Sequence, residues 1–169
     1  MKRALLFLIV AVSLPSAAFA ASDSATMDVS LNNIASVSVL TAPIDFGDVG
    51  TNVVNPTATG SITVNASTGV PYNIAIDGGL YSRSFGNCRW MEADPATTRA
   101  YSLYADSGQS IGWGDADFDN SCGGSDDASD VSKSETGNGS DQIHTVYARA
   151  AAGSKVGSMS DTLTVTVYY

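Results

Sequence analysis

Gly108, Ser110 and Gly112 stand in the spacing G-x-S-x-G, and the chain's one histidine, His144, follows them with acidic residues in between. A serine in that pattern becomes a nucleophile when a tight strand-to-helix turn lifts its Oγ above a parallel sheet and a histidine takes its proton. Asp115, Asp117, Asp119 and Asp126 fall at positions 1, 3, 5 and 12 of a calcium-type loop. Asn120 occupies position 6, where the sharp turn needs glycine, and the last ligand is a shorter acid than the usual glutamate. A solvated acidic loop is the better reading of this run, with a weak extracellular calcium site as a side reading. Cys88 and Cys122 form an even pair, which in an exported protein reads as a disulfide. With 8 basic and 17 acidic residues the net charge is −9, which repels phosphate backbones and argues against nucleic-acid binding.

Each of these chemistries depends on the elements that carry it. The nucleophile needs a helix behind its turn, and the calcium loop needs one on either side. No stretch of ten residues after Ala20 repeats apolar side chains with helical spacing. Period-two alternation recurs instead: Met27/Val29/Leu31, Val37/Val39, Ile62/Val64, Tyr72/Ile74/Ile76, Tyr101/Leu103, and the closing Leu163/Val165/Val167/Tyr169. Ile143, Val146 and Tyr147 lie in another β-rich run. Turn signals separate these runs, among them Ala42-Pro43, Asn55-Pro56, Asp77-Gly78-Gly79 and Asp94-Pro95. Many short strands with polar turns predict an antiparallel β-sandwich and no enzyme. Residues Gly114 to Asp141 break the rhythm, being rich in Gly, Ser, Asn and Asp, and read as a long surface loop or hairpin excursion.

The chain opens with Lys2-Arg3, an apolar run from Ala4 to Leu14, and small residues at Ala18 and Ala20. That order is the signature of a secretory signal peptide, so residues 1–20 are expected to be removed. Loss of Lys2 and Arg3 takes the net charge to −11.

Six blocks in order resemble the spore coat protein U (SCPU) domain family, whose members include pilins of archaic chaperone–usher pili. They are Val37 to Gly47 with Pro43-Ile44-Asp45-Phe46-Gly47 at its core; Ala58 to Val64 followed by Thr68 to Tyr72; Arg89 and Met91 with Tyr101 to Asp106; Trp113-Gly114-Asp115; Thr145 to Arg149; and Ser160 to Val167. Two positions where the family usually carries cysteine hold Ala35 and Ala66 here, so Cys88–Cys122 reads as a relocated bridge. The Gly114–Asp141 stretch is also longer than the family pattern.

The resemblance implies an immunoglobulin-like sandwich that lacks a strand and is completed by a neighbour's N-terminal extension. On that basis residues 21–34 are expected to be a donor-strand extension and 35–169 the sandwich domain. Ala25, Met27, Val29 and Leu31 would plug the partner's groove. Leu163, Val165 and Val167 would be the contacts of the C-terminal strand, and the carboxylate of Tyr169 would meet a basic residue of a periplasmic chaperone. The implied partners are neighbouring pilin subunits, that chaperone and an outer-membrane usher. The implied location is a surface pilus reached through the periplasm, and the implied role is adhesion and biofilm formation. No cofactor is expected. Two alternatives stay open: a monomeric ligand- or carbohydrate-binding sandwich, and a coat or matrix protein.

Overall fold

The computed structural model describes residues 23–81, 89–114 and 132–169. It divides into two units, one ending at Asn33 and the other spanning Ile34–Tyr169. In the first, residues 23–33 form no regular structure, and Met27, Val29 and Leu31 are 85–89% exposed. The second is an all-β, antiparallel sandwich of two sheets, consistent with an immunoglobulin-like fold, with no helix among the described residues.

Eight strands make up the body: β1 (Val37–Ala42), β2 (Thr57–Ala66), β3 (Pro71–Ile76), β4 (Arg89–Asp94), β5 (Thr97–Tyr104), β6 (Lys133–Thr136), β7 (Asp141–Ala150) and β8 (Val165–Tyr168). One sheet has the order β1-β2-β7-β5-β4 and the other β6-β3-β8. The alternation of β2 and β7 shows why they pair at the centre of the larger sheet. Ile62, Val64 and Ala66 of β2 and His144, Val146, Ala148 and Ala150 of β7 all turn inward and are buried. A one-residue slip would expose the whole set. From the smaller sheet Tyr72, Ile74 and Ile76 complete the core.

Several expected features change in detail. Within the β-rich run of β7, Ile143 is 70% exposed and His144 turns inward. The Gly114–Asp141 stretch is not all loop, because β6 lies within it and pairs with β3. Strand β4 was not foreseen. It pairs with β5 around the Asp94-Pro95 turn, where Asp94 Oδ1 accepts the Ala96 amide at 2.8 Å. Beside Ala35 and Ala66, Ser36 and Ser67 are joined by the Ser67 amide donating to the Ser36 carbonyl (3.0 Å) and the Ser36 amide to Ser67 Oγ (3.1 Å).

Buried polar groups tie the two sheets together. Trp113 is fully buried, and its indole N–H donates to the Ile74 carbonyl at 3.0 Å. Arg89 is also fully buried and donates to the carbonyls of Ile76 and Asp77, each at 2.8 Å. Tyr72 Oη and His144 Nε2 are hydrogen-bonded at 3.0 Å across the sandwich. These bonds satisfy groups whose burial would otherwise be costly.

Candidate functional site

The sandwich is not closed on all sides. A cleft of about 1310 Å³ opens into the interior, and its floor is the core itself: Ile62, Ile76, Tyr101, Leu103, Val146 and Ala150. Its two lips are built from different parts of the chain. One is the extended segment after β1, the other the approach to β8.

The first lip follows from local chemistry at Gly60. The chain leaves β1 at Ala42 and passes over β2 where Gly60 presents no side chain. A β-carbon there would stand 2.6 Å from Ile44 Cγ1 and 2.9 Å from the Ala42 carbonyl oxygen. Beyond the crossing, Ile44 and Phe46 alternate with Pro43 and Asp45 and pack half-buried against the core. The run ends at Gly47, whose φ of +62° is a left-handed conformation glycine adopts freely. The Gly47 amide donates to Asp45 Oδ1 at 2.8 Å. Residues 43–56 are not part of any strand.

The second lip is the C-terminal strand. Leu163, Val165 and Val167 share one face and pack half-buried on the core. β8 pairs with β3 and stands at the edge of its sheet, so the N–H and C=O groups of its other side meet no strand among the described residues. A groove with an apolar floor beside an unpaired strand edge is a template for an added strand. Main-chain hydrogen bonds would give such a strand its affinity, and alternate side chains would enter the groove.

The structure thus brings Leu163 and Val165 to the groove lip, while Val167 packs half-buried on the core outside the cleft lining. Tyr169 is 68% exposed beyond the end of β8. Ala25, Met27, Val29 and Leu31 are exposed and belong to the other unit. Cys88, Cys122, Asp115, Asp117, Asp119 and Asp126 lie outside the described residues.

The G-x-S-x-G pattern sits in a turn that returns to β5. The Ala105 amide donates to the Ile111 carbonyl at 2.9 Å, and Tyr104 bridges Gly112. Ser110 Oγ donates to Asp106 Oδ2 at 2.9 Å, while Asp106 Oδ1 accepts the amides of Ser110 and Ile111. These bonds, the one from Ile111 first, hold the Asp106 carboxyl below the usual carboxylate range. The serine is therefore part of a turn lock and not of a strand-to-helix elbow.

Sequence reasoning missed the polar cluster beside the groove. Tyr101, 5% exposed, donates its hydroxyl to Asp161 Oδ2 at 2.7 Å. Burial, then that bond, pushes the phenol well above its ordinary range. Nothing in the alternation of Tyr101 and Leu103 signals such a partner. The only hint was an aspartate placed just ahead of an apolar strand.

A family model described as the Spore Coat Protein U domain matches residues 23–166. No curated protein matches the chain. Among solved structures, a similar chain occurs in the crystal structure of a CsuC–CsuE chaperone–tip adhesion subunit pre-assembly complex from archaic chaperone–usher Csu pili of Acinetobacter baumannii. The TM-score is 0.58 at 19% identity, over 80% of this chain and 40% of that one. The likeness is one of fold, and this chain spans less than half the length of that neighbour.

Proposed function

The chain belongs to the Spore Coat Protein U domain family, and from that premise we propose that it is a structural subunit of a surface pilus that polymerises by donor-strand complementation. In this known mode of β-strand addition, one subunit's extension completes the next subunit's sandwich. The observation that carries the reading is the cleft over the core, bordered by the free edge of β8 and the half-buried Leu163 and Val165.

The segment before β1 has the pattern such a groove needs. Ala25, Met27, Val29 and Leu31 alternate with Thr26, Asp28, Ser30 and Asn32. All of Met27, Val29 and Leu31 face solvent in the isolated chain, an unfavourable arrangement that docking would relieve. Burying three such side chains is worth roughly 5–10 kcal/mol before ordering costs. A head-to-tail contact of this kind does not close on itself and so builds an open fibre.

The same reading supplies the partners. A subunit with an unfilled groove is an aggregation hazard, so a periplasmic chaperone lends a strand until the next subunit arrives. Tyr169, exposed just beyond β8, is open to contact with that chaperone. Delivery through an outer-membrane usher to the cell surface, and a part in adhesion and biofilm formation, complete the proposal. The fatty h-region ahead of Ala20 is consistent with export through the periplasm, where Cys88 and Cys122 would oxidise to a disulfide.

Electron microscopy of the native host, with and without residues 23–33, tests this function. Thin fibres that disappear with the deletion are expected. Fibres that persist unchanged, or a fully functional monomer, would overturn it.

A further inference from the structure

Strand β8 has only four residues and one neighbour, and the chain entering it, residues 160–164, lies in no strand. A short edge of this kind frays unless something else holds it. Yet Ser160, Asp161 and Leu163 form part of the groove wall. The approach is bridged to β4 at Ser160, which exchanges backbone hydrogen bonds with Glu92 (2.9 and 3.2 Å), and from Asp161 to Thr164 it is kept in shape by other groups.

Those groups converge on one carboxylate. Asp161 Oδ1 accepts the amides of Thr162 (2.8 Å) and Leu80 (3.0 Å), and Asp161 Oδ2 accepts the hydroxyl of Tyr101 (2.7 Å). It thereby joins three places: the chain leaving β3, the chain entering β8, and β5 in the opposite sheet. Gly79, at φ +82°, lies so close beneath the carboxylate that a β-carbon there would collide with it. Asp77 adds a second tie, accepting the Thr164 amide on Oδ1 at 2.9 Å. The backbone pairs Asp77–Thr164 and Leu80–Thr162 run alongside. Hydrogen bonds to a carboxylate acceptor are the strong ones, and the Tyr101 ring, 5% exposed, anchors one of them in the core.

We propose that Asp161 is a positioning residue for strand capture, holding the approach to β8 in the shape a donor segment docks against before that donor arrives. The inference rests on the groove reading above and deepens it. Without Asp161 the lip samples undocked states, and the apparent affinity for a donor falls by the fraction of time the docked lip is lost. A residue important for stability alone would weaken the fold and leave the affinity and the local exchange at the lip untouched.

The test uses the full chain and a synthetic peptide spanning residues 23–33. Peptide binding and amide hydrogen exchange at Leu163, Thr164 and Val165 are measured for wild type, Asp161→Ala and Tyr101→Phe. Asp161→Ala is expected to weaken peptide binding about tenfold or more and to speed exchange at the three amides by a similar factor. Tyr101→Phe, which deletes one hydroxyl and keeps the ring, is expected to shift both in the same direction by roughly threefold, and it serves if the alanine variant does not fold. Wild-type binding that neither substitution changes, with unchanged exchange at the lip, would overturn the role of Asp161 and leave the groove reading standing. A wild-type chain that does not bind the peptide would overturn both.

Discussion

A β-carbon on Gly60 would stand 2.6 Å from Cγ1 of Ile44, so the absence of a side chain in β2 is what lets the chain cross from β1 to the groove lip. Gly60→Ala forces that crossing outward, because two of the three nearest atoms are backbone oxygens that have little room to give. The expected cost is about 1–3 kcal/mol. Urea unfolding should read this loss as a lower midpoint at unchanged slope.

His144 makes stability depend on pH near neutrality. Burial first, then the charge of Lys133, lowers its proton affinity in the fold, against an opposing pull from Glu135. The unfolded chain protonates its histidine at about pH 6.5, the ordinary value for an exposed imidazole. Between that value and the lower folded one, the unfolded state holds more protons, so stability falls as the pH drops through this window and levels off below it. Because the sequence holds a single histidine, His144→Gln should flatten the melting temperature between about pH 6.5 and the lower folded value. An unchanged slope would show that the histidine is not its source.

Trp113 fills the sandwich and satisfies a carbonyl of β3. Trp113→Phe removes the indole N–H that the Ile74 carbonyl accepts and leaves part of the indole volume empty. The expected loss is about 1–3 kcal/mol, from the unmade hydrogen bond and the cavity together. Near-ultraviolet circular dichroism and denaturant midpoints should both report it.

The donor side of the contact should separate assembly from folding. Val29 is 89% exposed in the isolated chain, so Val29→Glu should leave unfolding within about 0.5 kcal/mol of wild type while abolishing fibres. Val165→Glu places a charge on the acceptor lip and should abolish fibres as well, but with a loss of stability, because Val165 packs half-buried on the core. Analytical ultracentrifugation and negative-stain microscopy would show both effects.

Much of the sandwich was legible because period-two alternation is a strong signal where one face is buried. β2, β3 and β5 were read from Ile62/Val64, Tyr72/Ile74/Ile76 and Tyr101/Leu103, and each of these side chains is buried. β4 escaped because its inward residue at the start is Arg89, which a hydrophobicity pattern scores as polar although its guanidinium reaches two carbonyls in the core. β6, reading Lys-Ser-Glu-Thr, carries no apolar side chain at all, as suits a charged edge strand. In β7 the inward set contains a histidine and two alanines, so the sequence marked a β-rich run there without showing which face is buried. The groove was less legible than the strands. Alternation marks Leu163, Val165 and Val167 as facing inward, but whether a neighbour covers their open side depends on the path of residues 43–56, and that path turns on the missing side chain of Gly60.

The most direct measurement is a disulfide trap between subunits. Cysteines are introduced at Val29 and at Val165 of the same chain, and fibres or assembled material are oxidised and run on a denaturing gel without reductant. A ladder of covalent multimers, lost when either cysteine is omitted, is the expected result. Oxidised material that runs only as monomer, with the two cysteines joined within one chain, would contradict the account.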